Sequence, residues 1–562
     1  MQTAIPPQTR SRRLDGVYFP ALALFLAALA IRLVCSPIVP LHPDEIFHIL
    51  TATSWSDDGS YRLGDGSYTR GWIYTVMAGE SFHAFGHVSV FLARLPAILA
   101  GALVVPVIFV WISRSADRTA GWISALLVCC TELMIRTSDF ARFYSLQALL
   151  VTAAAAMIYA YLLHPSRRRA WVPVLALACL ALAAQLQITT IVAAGAIGIF
   201  VVLFLATRPQ TRALLADAKM RRLAFALLVL AAAAGAVVVY LGLPRLLEAE
   251  PWAEKHKYNY LFYHVLLSRD YRLFWYLMPL AAFAALARYP RLTAYCLALW
   301  LIPLFVHSFG GMKADRYISY AFTFFLTFWG IALACALPWL KTAVVRTLDC
   351  LQEACAVPLG ERIRAVLVPA ILVFCALSVI AVNKLLVDSP KLIAKGMVHF
   401  VHAPAGIFRN PPDPEWDRGL AAIRRDLDGG AVLVGVDELR TTLYLQTPNF
   451  GMYLPPAPVT FERNGFTIDK RNGRPVIENV EDLERVFSCL PRGVLLIPAR
   501  RWEQYGFLDE PMARFITART KPGPPRIPGF YIYRWQHPVN RQGCEAVRKE
   551  ARLHSRSAPL EN

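Results

Sequence analysis

Asp44 and Glu45 stand side by side in "PLHPDEIFHIL", residues 40–50, with His42 and His48 close by, directly after the first long apolar run of the chain. A carboxylate can take a proton from an attacking hydroxyl or help to hold a cation, and a histidine a turn further on can complete a metal site. Three more charged sets border apolar runs. "RTSDFARFYSL" supplies Arg136, Asp139, Arg142 and Tyr144, a later segment supplies Lys255, His256, Lys257 and Arg269, and "GGMKADRYISY" supplies Lys313, Asp315, Arg316 and Tyr317. Arginine and lysine bind phosphate oxygens and stabilise the charge that develops on a leaving group. The combination suits acid–base chemistry beside a phosphate.

Each residue also has a plainer reading. Asp44 follows Pro43, a good helix N-cap position, which would put Glu45 in a first turn favoured by the helix dipole. Arg136, Arg142 and Arg316 could anchor span ends by snorkelling, and Tyr144 and Tyr317 fit an interfacial aromatic belt. A divalent metal held by Asp44 and His48 stays open, because the histidines lack a tight ligand pattern. The coincidence of several sets on one face of a membrane is what favours chemistry.

That face follows from the elements between the sets. The chain has 562 residues, of which 56% are hydrophobic and only 17% charged, and its mean hydropathy is +0.43. A soluble protein of this size would need more polar surface, so the chain reads as a polytopic helical membrane protein. Apolar runs near 17–36, 88–112, 120–135, 146–163, 171–186, 190–206, 223–243, 273–287, 292–307, 318–339 and 365–383 predict about eleven spans. Arginine and lysine crowd every second loop, which puts the N-terminus in the cytoplasm and "HPDE" outside. Those loops carry much of the net charge of +19, so attraction to anionic lipid explains it without a nucleic acid partner.

The expected organisation is a cytoplasmic tail (1–16), a transmembrane domain (17–384) with a long outer loop (40–87), an extracytoplasmic α/β domain (385–544) and a disordered tail (545–562). Within the outer loop, "PDEIFHILTATSW" and "GWIYTVMAGESFHAFG" have helical character and flank a Gly-rich polar piece. In the α/β domain "AVLVGV", "GVLLIPA" and "GFYIYRW" read as strands, while "DELRTTLYLQ", "NVEDLERVFSCL" and "DEPMARFITA" read as helices. Cys489 and Cys544 are the cysteines of that domain; in an oxidising compartment they could pair, though two positions alone do not decide it.

"HPDE" opening a long first outer loop, "ARFYSL" opening the fourth span and "DRY" near the tenth together resemble the GT-C superfamily of polyprenyl-phosphate-sugar-dependent glycosyltransferases. The look is nearest to the bacterial protein mannosyltransferase and aminoarabinose transferase group, over roughly residues 15–385. The resemblance implies an inner-membrane enzyme that moves a sugar from a polyprenyl-phosphate donor to an extracytoplasmic acceptor; inversion is expected because direct attack with phosphate leaving needs no covalent enzyme intermediate. By position Asp44 is the implied base or metal ligand, Glu45 its partner or substitute, and Asp139 a group that orients the acceptor or joins a metal site. Arg142, Tyr144, Lys313, Arg316 and Tyr317 are implied at the donor phosphate. The final domain matches no familiar pattern, which leaves the acceptor open: lipid, polysaccharide or protein.

Two rivals are weighed. A flippase of a lipid-linked sugar should carry ionisable groups at mid-membrane in repeated halves, whereas here the charges gather at the rim and no repeat stands out. A non-catalytic scaffold would leave the rim constellation unexplained. Neither "GxxxxGK[ST]" nor a strand-bound "GxGxxG" occurs, so no nucleotide site is expected.

Overall fold

The computed structural model of the chain describes residues 10–163, 171–209, 257–355, 360–403, 420–452 except 437, 460–499, 510–522, 530–538 and 543–551, with a few single positions between them. The expected span at 223–243, and Lys255 and His256, lie outside the described residues.

The first apolar run forms α1 (Arg10–Cys35). The outer loop forms α2 (Pro43–Asp58), a short antiparallel hairpin of β1 (Arg62–Leu63) and β2 (Gly66–Ser67), and α3 (Trp72–Phe85). Then come α4 (Val90–Ser115), α5 (Arg118–Cys130), α6 (Glu132–Ser138), α7 (Tyr144–Leu163), α8 (Trp171–Leu186) and α9 (Thr190–Ala206). Beyond residue 257 lie α10 (Phe262–Asp270), α11 (Arg272–Tyr276), α12 (Met278–Arg288), α13 (Pro290–Phe309), α14 (Ser319–Cys355), α15 (Glu361–Val382) and α16 (Lys384–His402).

Every expected span that falls on described residues coincides with helix, but not every helix is a full span. Among the described residues six helices (α1, α4, α7, α13, α14 and α15) are long and apolar enough to cross a membrane. The pair α5 and α6, bent by 59° at Thr131, would make a seventh. The helices α8, α9 and α12 have only 16, 17 and 11 residues, short of the 20 or so that a bilayer core asks for. The chain is a membrane protein; the count of eleven spans goes beyond what these helices support.

By packing the chain divides into two compact units. The helical unit comprises residues 1–36, 97–139 and 143–404. Its centre is α14, which packs against α5, α7, α12 and α13. Lipid gives helices no hydrophobic reason to associate, so close fit decides, and small residues permit it. At Gly330 of α14 a Cβ would lie 2.1 Å from Ser124 Oγ of α5, and that hydroxyl donates to the Thr327 carbonyl at 3.2 Å. The sequence puts residue 385 at the start of the soluble domain, but α16 packs on α1, α6 and α15. Gly396 seats it against the backbone of Val34, and the boundary falls after Pro404.

The second unit comprises residues 37–96, 140–142 and 405–562. Its described elements after α16 are α17 (Leu420–Asp428), β3 (Val432–Gly435), α18 (Glu438–Tyr444), β4 (Phe450–Gly451), β5 (Thr460–Arg463), β6 (Phe466–Asp469), β7 (Pro475–Val476), α19 (Val480–Cys489), β8 (Arg492–Pro498), α20 (Glu510–Arg519), β9 (Lys521–Pro522), β10 (Phe530–Gln536) and α21 (Glu545–Ala551). The eight strands form one sheet in the order β5-β6-β7-β4-β3-β8-β10-β9. Pairing is parallel from β7 through β4 and β3 to β8, and antiparallel on either side. Near-continuous apolar runs such as "VLLI" in β8 are what a strand covered on both faces requires, and Val494, Leu495, Leu496 and Ile497 are all buried.

Two expectations change here. Residues 545–551, read from their charge as disordered tail, form α21, because Cys544 is bonded to Cys489, Val547 is buried in the core and fully buried Glu550 accepts from Arg463 and Asn464; residues 552–562 lie outside the described residues. The β5–β6 hairpin was not anticipated, although Asn464-Gly465 at its turn, with φ of 52° and 72°, is a strong hairpin dipeptide.

Candidate active site

The site begins with how α2 starts. His42 is the N-cap: its ring Nδ1 accepts from the Asp44 backbone N–H at 3.1 Å. Pro43 takes the first helical position, where its missing N–H costs nothing. Glu45 closes the capping box by accepting from the His42 N–H at 2.8 Å. Capping therefore falls to His42 and Glu45, and the expectation that Asp44 is the cap is corrected.

Glu45 is more than a cap. Both its oxygens meet Arg94 at 2.8 Å in a bidentate pair, and one accepts from the Ala141 N–H at 2.7 Å. Arg94 also donates to the carbonyls of Val39 and Pro40. Both side chains are 0% exposed. A buried charge pair holds only when its remaining donors and acceptors are satisfied, and here the ring of contacts ties the start of α2, the start of α4 and residues 140–142 together.

Asp44 points elsewhere. Its Oδ2 lies 2.9 Å from Arg142 Nη1, with the Asp44 side chain 29% exposed and that of Arg142 only 5%. The other arm of Arg142 donates to the Tyr68 hydroxyl at 3.0 Å. Tyr68 stacks on Phe47 at 4.9 Å, and Phe140 meets the His42 ring edge-on at 5.3 Å. The result is one partly exposed carboxylate held by a buried, oriented arginine.

His48 is fully buried. Its Nδ1 lies 2.9 Å from Thr75 Oγ1 and its ring meets Tyr68 and Tyr74 edge-on. Burial, then the nearby Arg142 and Arg70, pushes its pKa well below 6.5. Among the described residues no group of three or more His, Cys, Asp or Glu is placed together to hold a metal.

The hairpin that carries Tyr68 is fastened to the sheet. The Asp65 N–H donates to the Asn472 carbonyl at 2.7 Å, and Asp65 pairs at 3.2 Å with Arg474, which is 1% exposed. The contact is so close that a Cβ on Gly64 or Gly473, both at positive φ, would meet backbone atoms at 2.8 and 2.6 Å. Asn472 in turn donates to Glu438 of α18.

The other expected site residues belong to the helical unit. Asp139, fully buried, closes α6 and lies within electrostatic reach of Arg32 on α1. Tyr144 packs against Tyr317 with ring centroids 6.0 Å apart. Arg316 lies over Tyr317 at 5.3 Å, and Lys313 lies 5.8 Å from the Tyr260 ring. Burial lowers the Lys313 pKa. Sequence reading missed Arg94 and Tyr68; Arg94, a lone charge inside "FLARLPAIL", carried a signal, whereas Tyr68 carried none.

No protein-family model matches this sequence, and no curated protein matches it either. Solved structures do. ArnT from Cupriavidus metallidurans bound to undecaprenyl phosphate superposes with a TM-score of 0.56 at 17% identity over 91% of this chain and 97% of that one. The same protein in the apo state gives 0.54 at 16%, with the same coverage. The archaeal oligosaccharyltransferase AglB from Archaeoglobus fulgidus, in complex with an inhibitory peptide and a dolichol-phosphate, gives 0.51 at 11% over 92% of this chain and 74% of that one. At such identities the likeness is one of fold. This chain shares the overall fold of the ArnT structures, with a C-terminal sheet domain.

Proposed function

We propose that this protein is an integral membrane glycosyltransferase of the GT-C type, transferring a sugar from a polyprenyl-phosphate carrier to an extracytoplasmic acceptor. The observation that carries the reading is the division of labour between adjacent carboxylates: Glu45 is consumed by Arg94 and the helix cap, while Asp44 is presented at a partly exposed position by Arg142. That second carboxylate is oriented by a buried arginine and still reaches a partly exposed position, the setting a general base needs. The lipid phosphates in the ArnT and AglB structures support a donor of the same class for this chain.

The reaction is a displacement. An acceptor hydroxyl attacks the anomeric carbon of the donor, the bond to phosphate breaks with its electron pair passing to the phosphate oxygen, and Asp44 takes the hydroxyl proton. No covalent enzyme intermediate is needed, so configuration inverts. Arg142 is a positioning residue for Asp44, and the positive charge of a guanidinium or ammonium is what a departing phosphate requires, the role assigned to Lys313 and Arg316. Asp139 is assigned to orienting the acceptor, and Tyr144 and Tyr317 to the donor phosphate. Glu45 is assigned to the scaffold.

We place the sheet domain on the extracytoplasmic side of a bacterial inner membrane. The alternating basic loops support this, and so does the Cys489–Cys544 disulfide, a bond that belongs to oxidising compartments.

The reading is tested with purified protein in lipid nanodiscs, offered radiolabelled sugars on synthetic polyprenyl phosphates together with cell-envelope acceptors. Label appearing on an acceptor supports the transferase. Donor lipid crossing between leaflets in proteoliposomes, with no label transferred, would replace it with the flippase.

A further inference from the structure

The helical unit contains a half-open cavity of about 190 Å³ that the mechanism above does not use. Its walls come from three separate segments: Glu132 and Arg136 on α6, Arg269, Asp270 and Tyr271 where α10 ends, and Asp315 after α13. Two ion pairs line it, Arg136 to Glu132 at 2.5 Å and Arg269 to Asp270 at 2.5 Å. In both pairs the carboxylate is the deep partner, with side chains 9% and 7% exposed against 50% and 61% for the arginines. The floor thus accepts hydrogen bonds and the rim donates them.

Tyr271 is the second, independent sign. It is fully buried, its ring packs on Phe322 at 4.8 Å, and its hydroxyl makes no hydrogen bond among the described residues. An unsatisfied buried hydroxyl costs free energy, so one retained at a cavity wall calls for a partner supplied from the cavity. Burial and the nearby Asp270, Glu132 and Asp315 keep the phenol protonated, so it is a standing donor.

We infer that this cavity is a carbohydrate subsite, taking the hydroxyls of one sugar ring. The two ion pairs cancel and Asp315 leaves the lining with one carboxylate in excess, which disfavours an anionic ligand, yet each carboxylate and guanidinium keeps planar acceptor or donor capacity of the kind that adjacent sugar hydroxyls match two at a time. The sugar would be that of the donor or one on the acceptor; this part of the inference rests on the transferase reading.

The test is saturation-transfer NMR on the full-length protein in nanodiscs with methyl hexosides and methyl pentosides as probes. Wild-type protein should give a signal, and Tyr271→Phe, which keeps the ring packing and removes only the hydroxyl, should weaken it about tenfold. Asp270→Asn should do the same. No signal from the wild type, or equal signals from all three proteins, overturns the subsite. Steady-state kinetics then separates the sources. A raised KM for polyprenyl-phosphate sugar, with bare polyprenyl phosphate binding unchanged, places the donor sugar here; a raised KM for the acceptor alone places the acceptor; neither KM moving overturns the inference. A wild type that gives the glycoside signal but transfers nothing would defeat the transferase reading and leave the cavity standing.

Discussion

Two adjacent carboxylates, Asp44 and Glu45, are given different fates by their partners. Glu45 sits in a fully buried bidentate pair with Arg94, and removing one member of such a pair leaves the other charge stranded. Glu45→Gln should therefore cost about 3–5 kcal/mol of stability, read as a large fall in thermal midpoint in detergent, while Arg94→Lys should lose the second contact and fall between. Tyr68→Phe should cost about 1–2 kcal/mol of stability and reduce kcat by up to about tenfold with little effect on KM, since it removes one hydrogen bond from the buried arginine that orients Asp44. His48 supplies a pH signature. Its pKa is depressed in the folded protein, so the unfolded chain binds a proton that the folded one refuses, and stability falls as pH drops below about 6.5. His48→Gln should flatten that slope between pH 6.5 and 5. Asp44 and Arg142 were legible in the sequence as charges at span ends. The exchange of roles that makes His42 the cap was not, because it depends on a ring nitrogen reaching a backbone N–H.

At the scale of elements, the hairpin beside α2, the helix that carries Asp44, is fixed by groups distant in sequence. Asp65 and Arg474 lie on the hairpin and on the turn before β7, so Arg474→Ala should loosen residues 62–67, measured as faster amide exchange there, and lower kcat through Tyr68. Gly473→Ala should do the same by steric clash with Asp65. The helices and strands themselves were readable because apolar periodicity survives in a single chain: α2, α3, β3, β8 and β10 all stand where their patterns put them. What eluded the pattern was partnership. Residues 545–551 look like a charged tail until Arg463 and Asn464, 87 and 86 residues upstream of Glu550, supply the reason for a helix. Likewise α16 reads as the edge of a soluble domain until its contacts with α1 are seen.

For the whole molecule, the account makes a claim about sidedness. Cys350 is the exposed one among the described free cysteines and lies in a segment flanked by Lys341, Arg346, Arg362 and Arg364, so a membrane-impermeant maleimide should label it from the cytoplasmic face only. Labelling from outside would invert the topology. The central claim, however, is that Asp44 is the base and Glu45 is not. It is tested most directly by single-turnover transfer from a radiolabelled polyprenyl-phosphate sugar with purified wild type, Asp44→Asn and a Glu45→Gln variant assayed below its unfolding temperature. The account predicts that Asp44→Asn folds normally and loses about two to four orders of magnitude in rate, while Glu45→Gln, though less stable, keeps most of it. Transfer by Asp44→Asn at the wild-type rate would contradict the account at its root.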